Sequence, residues 1–291
     1  MKAYEKGNSV ILEDVADFNP KHIFECGQCF RWKLEEDGSY TGVAKGRILN
    51  ISIENDKIYL NNTNLEDFNS IWYNYFDLGT DYTKIKNELR KMDKHLDKAC
   101  HFGWGIRILK QDGWEMLISF IISSNNRIPM IQRAIDNLSR KYGQFIGNYN
   151  GKDYYSFPTP EELSKASQEE IRSCQTGFRD KYIKSTSDSV VSNNENVSEY
   201  TSLSTDECLK ALLRFNGVGP KVADCIALFG MQKYDTFPVD VWVKRVMQEF
   251  YVADEMSLPK IRKFAVDKFG DLSGFAQQYL FYYARELGIG R

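Results

Sequence analysis

Residues Leu212–Trp242 read L-L-R-F-N-G-V-G-P-K-V-A-D-C-I-A-L-F-G-M-Q-K-Y-D-T-F-P-V-D-V-W. Leu209, Leu212, Leu213 and Phe215 suit one face of a helix that ends near Asn216. Gly217 and Gly219 bracket Val218, and Pro220 cannot prolong that helix but fits the first turn of another. Val222, Cys225, Ile226 and Phe229 then recur at helical spacing. The pattern predicts helix–hairpin–helix. Its two glycines permit positive φ and the close approach of a second backbone, and unpaired N–H groups at the second helix start suit a phosphate. A plain connector between two packed helices would explain the glycines as well.

Lys221 favours chemistry. It stands where the helix dipole disfavours a cation, so its ammonium is expected to lose its proton more readily than a surface lysine. A neutral amine can attack a sugar carbon and form a Schiff base. Asp240 follows Phe237-Pro238-Val239 and precedes the apolar positions Val241, Val243 and Val246, the place of a helix N-cap. A carboxylate there could also stabilise positive charge growing on a sugar.

The segment resembles the helix–hairpin–helix, Gly/Pro, aspartate DNA glycosylases, and more narrowly the 8-oxoguanine DNA glycosylase/AP lyases. Four further blocks carry the narrower resemblance, in the family's order: Gly27-Gln28-Cys29-Phe30-Arg31-Trp32, Ser123-Ser124-Asn125-Asn126, Gly177-Phe178-Arg179 and Gly274-Phe275-Ala276-Gln277. They extend over most of the chain. No cysteine follows Cys225, so the iron–sulfur loop of the endonuclease III relatives is absent.

The resemblance implies base flipping. Phe281 would stack on the extruded 8-oxoguanine, Gln277 would bond its Watson–Crick edge, and Cys225 would pack the opposite face. The Gly27 carbonyl would accept the N7 hydrogen that guanine lacks. Lys221 would displace the base and Asp240 would support the developing charge. Asn125 would bond the orphaned base, Phe178 would wedge into the duplex, and Arg172, Arg179 and Met130 would lie along the DNA. Gly217 and Gly219 would meet a phosphate. Carbonyls near Leu213, Phe215 and Val218 could hold a structural cation, with no other cofactor required. At the Met130 position eukaryotic members carry an arginine that helps read cytosine. Phe178 replaces their tyrosine and Trp242 their histidine. A relaxed preference for the opposite base is therefore expected.

Composition sets the outer bounds. The 291 residues suffice for two or three packed units. The hydrophobic 42% and charged 27% are ordinary for a globular protein. A net charge of −2 gives no overall attraction to nucleic acid, so binding must use local basic groups. Arg172, Arg179, Lys181 and Lys184 form one such group, and Arg127, Arg133, Arg140 and Lys141 another. The start of the chain lacks an apolar signal core and no run approaches a membrane span, so a cytoplasmic monomer acting on double-stranded DNA is expected. Cys26 and Cys29 have metal-knuckle spacing without a second pair, which argues against zinc.

The expected fold class is α+β: an antiparallel sheet domain with flanking helices over 1–105, then a helical helix–hairpin–helix domain over 106–291. Residues 1–61 read as strands, 65–75 and 80–99 as helices. Asp112 should cap a buried helix ending at Ser123, with another helix at 127–142, a loop at 148–160, and helices near 257–269 and 273–286. Two rivals stay open: a relative excising another damaged base, and a DNA-binding module without catalysis.

Overall fold

The computed structural model describes residues 1–252 and 256–289. Its first part is an antiparallel sheet of β1 (Lys2–Lys6), β2 (Ser9–Glu13), β3 (Trp32–Leu34), β4 (Tyr40–Ala44), β5 (Arg47–Glu54) and β6 (Lys57–Asn61), in the order β1-β2-β6-β5-β4-β3. The period-2 pattern places Val10, Leu12, Leu49, Ile51 and Leu60 in one core with Phe68, Trp72 and Phe76 from the following helical segment. The expected all-strand reading of 1–61 is corrected at Pro20–Phe24, which is a helix. Its start signals were present: Asn19 caps the His22 N–H and Pro20 opens the first turn.

A second, larger core gathers the helices. At its centre lies Gly113–Ser123, buried on nearly all sides because its residues are apolar all round. Asp112 caps it as expected, accepting from the Glu115 N–H at 3.0 Å. Helices Tyr82–Met92 and Lys94–Phe102 contribute Leu89, Leu96 and Ala99 to this core, so the cores do not divide at 105. Phe30 belongs to it too, whereas Cys29 and Trp32 belong to the sheet core.

The loop expected over 148–160 is corrected in part. It contains a hairpin of β7 (Phe145–Tyr149) and β8 (Lys152–Tyr155). The Asn150-Gly151 turn explains it, with φ of 49° and 75°, the left-handed pair that matches strand twist. Among the described residues no helix is long and apolar enough to cross a membrane.

Candidate active site

The hairpin forms between helices Thr205–Leu212 and Pro220–Met231. The first ends earlier than the apolar spacing suggested, since Arg214 and Phe215 already make turn-type bonds to Ala211 and Leu212. The two glycines have different reasons to be there. Gly217 has φ of +84°, and a Cβ on it would lie 2.7 Å from the Tyr182 ring. Gly219 has φ of −91° and open space where a Cβ would go. Nothing inside the protein requires glycine at 219, so the requirement points outward, to a partner backbone. No side chain caps the Pro220 helix, which leaves its first N–H donors for an anion. Gly219→Ala is expected to leave the melting temperature unchanged and weaken duplex binding about tenfold, the scale of one charge-assisted hydrogen bond. Calorimetry and a DNA titration would check it; Gly217→Ala should instead lower the melting temperature.

Lys221 stands in the first turn of the second helix and shares a cavity of about 450 Å³ with Ser124, Gly217, Gly219, Asp224 and Arg262. Its Nζ lies 5.9 Å from the centroid of the Phe120 ring. Phe120 meets the Phe30 ring edge-on at 5.5 Å, which joins the lysine site to the Gly27–Trp32 block. The expected loss of its proton is corrected. The Lys221 ammonium is held above the ordinary lysine range by negative charge at Cys225 one turn on, present only once that thiol ionises, and by Asp240, against an opposing effect of burial. Burial in turn pushes the Cys225 thiol up to about 11, so the sulfur is a neutral, fully buried wall at neutral pH. Asp240 is the N-cap of Val241–Phe250, with Oδ1 accepting from the Val243 N–H at 2.8 Å.

Gly27 lies in a loop fastened on both sides. Arg285 donates to the Glu25 carbonyl, Gln278 to the Cys26 carbonyl at 2.7 Å, and Gln111 to the Gln28 carbonyl at 2.7 Å. Among the described residues no donor reaches the Gly27 carbonyl itself. A Cβ on Gly27 would stand 3.3 Å from the Phe281 ring, so the two are close neighbours. One turn before Phe281 on helix Ser273–Leu287, Gln277 is buried and its Oε1 has no hydrogen-bond partner among the described residues. An acceptor left bare in a buried place calls for a donor from a ligand. Gln278, Gln111, Phe120 and Arg285 were missed by sequence reasoning, because each acts on a segment far away in the chain.

The residues expected along the DNA fall into two groups. Asn125, in the turn after Ser123 at φ of 49°, and Met130, in the first turn of the next helix and 39% exposed, stand at the surface. Phe178 is exposed. Arg179 is buried and turned inward: Nε and Nη2 donate to the Ser124 carbonyl, and Nη2 also to the Asn125 carbonyl at 2.9 Å. It holds the Asn125 turn and lies over the Phe178 ring at 4.4 Å. Arg172 donates through Nε to the fully buried Asp180 at 2.5 Å. The basic group at 172–184 is thus engaged largely within the protein.

Two family models divide the chain: 8-oxoguanine DNA glycosylase, N-terminal domain, over residues 10–117, and HhH-GPD superfamily base excision DNA repair protein over 118–270. The chain is 50% identical to the Clostridium acetobutylicum 8-oxoguanine glycosylase/lyase solved with double-stranded DNA containing cytosine opposite 8-oxoG, with a TM-score of 0.96 over 99% of both chains. It is 32% identical to a probable N-glycosylase/DNA lyase of Methanothermobacter thermautotrophicus, over 74% of this chain and 72% of that protein. It is 30% identical to the N-glycosylase/DNA lyase OGG1 of Arabidopsis thaliana, over 89% of this chain and 75% of that protein. With its hairpin, lysine and aspartate in place behind a matching N-terminal domain, the chain belongs to the 8-oxoguanine glycosylase/lyase family of the HhH-GPD superfamily.

Proposed function

We propose that this protein removes 8-oxoguanine from duplex DNA and nicks the strand at the resulting abasic site, and that it works in the cytoplasm. The observation that carries the reading is the Gly27 carbonyl, left without a donor among the described residues, in a loop residue that neighbours the Phe281 ring. Guanine presents a lone pair at N7 and 8-oxoguanine an N–H. A fixed carbonyl facing N7 bonds the second and repels the first, a difference of about 1–3 kcal/mol. The bare Oε1 of Gln277 matches the N–H groups of the same base's Watson–Crick edge.

In the chemical step Lys221 Nζ, having given up a proton, bonds to C1′ of the sugar. The C1′–N9 electron pair leaves with the base, which takes up a proton. Opening of the sugar gives a protonated Schiff base; loss of a C2′ proton then expels the 3′ phosphate. Asp240 stabilises the positive charge on the sugar as it grows. No cofactor takes part in bond breaking. At the hairpin, Phe215 O accepts the Val218 N–H at 3.1 Å, while Leu213 O and Val218 O meet no donor among the described residues. We propose that these three carbonyls hold a structural cation, which would add positive charge at the phosphate site.

Opposite the lesion, selectivity is proposed to be mild. Met130 has no donor for cytosine, and the Arg179 guanidinium is occupied by Ser124 and Asn125. Met130→Arg is expected to raise the preference for cytosine about ten- to a hundredfold, the worth of one charge-assisted bond. Single-turnover excision opposite each of the four bases would measure it, and a parent already as strict as the variant would contradict it. The main activity is tested by incubating the protein with an 8-oxoguanine duplex and borohydride. A trapped covalent complex and a nicked strand are expected. Release of an alkylated base with no action on 8-oxoguanine would favour the rival glycosylase reading.

A further inference from the structure

We propose that Arg285 is a specificity-determining positioning residue, which sets the gap between the Gly27 carbonyl and the Phe281 ring. The inference rests on the lesion-pocket reading above and adds to it the device that keeps the pocket in register.

Arg285 follows Phe281 by one helical turn, and its guanidinium carbon lies 5.5 Å from the centroid of that ring. Its Nη2 donates to the carbonyl of Glu25, two residues before Gly27. Its Nη1 would be 3.8 Å from a Cβ on Gly27. Glu286 fixes the guanidinium plane, accepting from Nε at 3.2 Å and Nη2 at 2.9 Å. Arg285 also lines a cavity of about 390 Å³ with Gly27, Cys29, Trp32, Ile128 and Gln132. Gln278 and Gln111 hold the carbonyls on either side of Gly27, but neither carries a cation to set against the Phe281 ring. Arg285 touches both walls.

The physical consequence follows from the chemistry of reading one proton. A hydrogen bond to a carbonyl weakens steeply once distance and angle drift. A base stacked on Phe281 keeps its N7 in line with the Gly27 oxygen only if ring and loop stay fixed relative to each other. The planar fork of arginine does both jobs, because one edge bonds a carbonyl while its face rests on an aromatic ring. Without it, the base could still enter and stack, but the bond that distinguishes it would be poorly aligned.

The test uses the full-length protein, with Arg285→Met and Arg285→Lys. Each is assayed for single-turnover release of 8-oxoguanine and for strand cleavage of duplex DNA with a preformed abasic site. The second reaction needs Lys221 but no base recognition. Methionine should slow base release about tenfold or more, while abasic cleavage stays within about twofold of the parent. Lysine, which keeps a cation and a donor, should recover part of the loss. Base release at the parental rate in Arg285→Met would overturn the assignment, and so would a proportional loss of both reactions, the mark of general misfolding. A parent that cleaves abasic DNA yet releases no 8-oxoguanine would overturn the lesion-pocket reading and the role of Arg285 with it.

Discussion

Replacing Lys221 by glutamine is expected to eliminate base release and borohydride trapping together, while duplex affinity stays within about twofold of the parent. Glutamine keeps nearly the same reach from the first turn of the Pro220 helix, but its amide nitrogen is not a nucleophile. The surroundings give this variant room to fold. Lys221 packs toward Phe120 and Cys225 rather than into a buried ion pair, and the neighbouring thiol is neutral near pH 7. The same surroundings set a pH dependence. Because negative charge at Cys225, once its thiol ionises, and at Asp240 holds the ammonium above the ordinary lysine range, the reactive amine is scarce at neutral pH and grows as pH rises. Single-turnover rates of the parent should therefore climb from neutral to alkaline pH. A trapped adduct in Lys221→Gln would place the nucleophile elsewhere.

Asp240→Asn should lower the single-turnover rate by about 10²–10³ while binding and melting temperature change little. That is the scale on which one electrostatic group aimed at developing charge acts. The substitution separates two roles that coincide in one side chain. An asparagine oxygen can still accept from the Val243 N–H, so the cap on Val241–Phe250 survives. The negative charge does not, and with it goes the stabilisation of a cationic sugar. The neighbouring lysine should also lose part of what raises it, shifting the pH–rate profile toward lower pH. An asparagine variant with the parental rate and a depressed melting temperature would show that the aspartate is a cap and nothing more.

What could be read in the sequence was what local rules determine. The hairpin, the caps at Asp112 and Asp240 and the buried Gly113–Ser123 helix each announce themselves within a few residues. The Asn150-Gly151 turn was equally local, but the polar, Gly- and Tyr-rich composition around it hid two short strands. The charge state of Lys221 is of another kind. The dipole of its own helix was visible in the sequence, whereas the approach of Asp240 depends on how the helices pack. Arg179 shows the same limit. Its identity matched the family, yet only the fold reveals that it faces the Ser124 and Asn125 carbonyls. The Gly27 loop is the extreme case, because its three fastenings come from residues 111, 278 and 285.

That loop also threads between the two cores, with Cys26 and Phe30 sunk into the helical one and Cys29 and Trp32 into the sheet. The sheet is therefore no detachable accessory to a catalytic helical half. A chain that kept the lysine, the aspartate and the hairpin but exchanged the sheet for another module would still hold its chemical step. It would forfeit the carbonyl proposed to tell a damaged purine from a sound one. On this reading the chemical step needs only the helical half, whereas discernment needs both halves, and the stretch from Cys26 to Trp32 is the seam that brings them together.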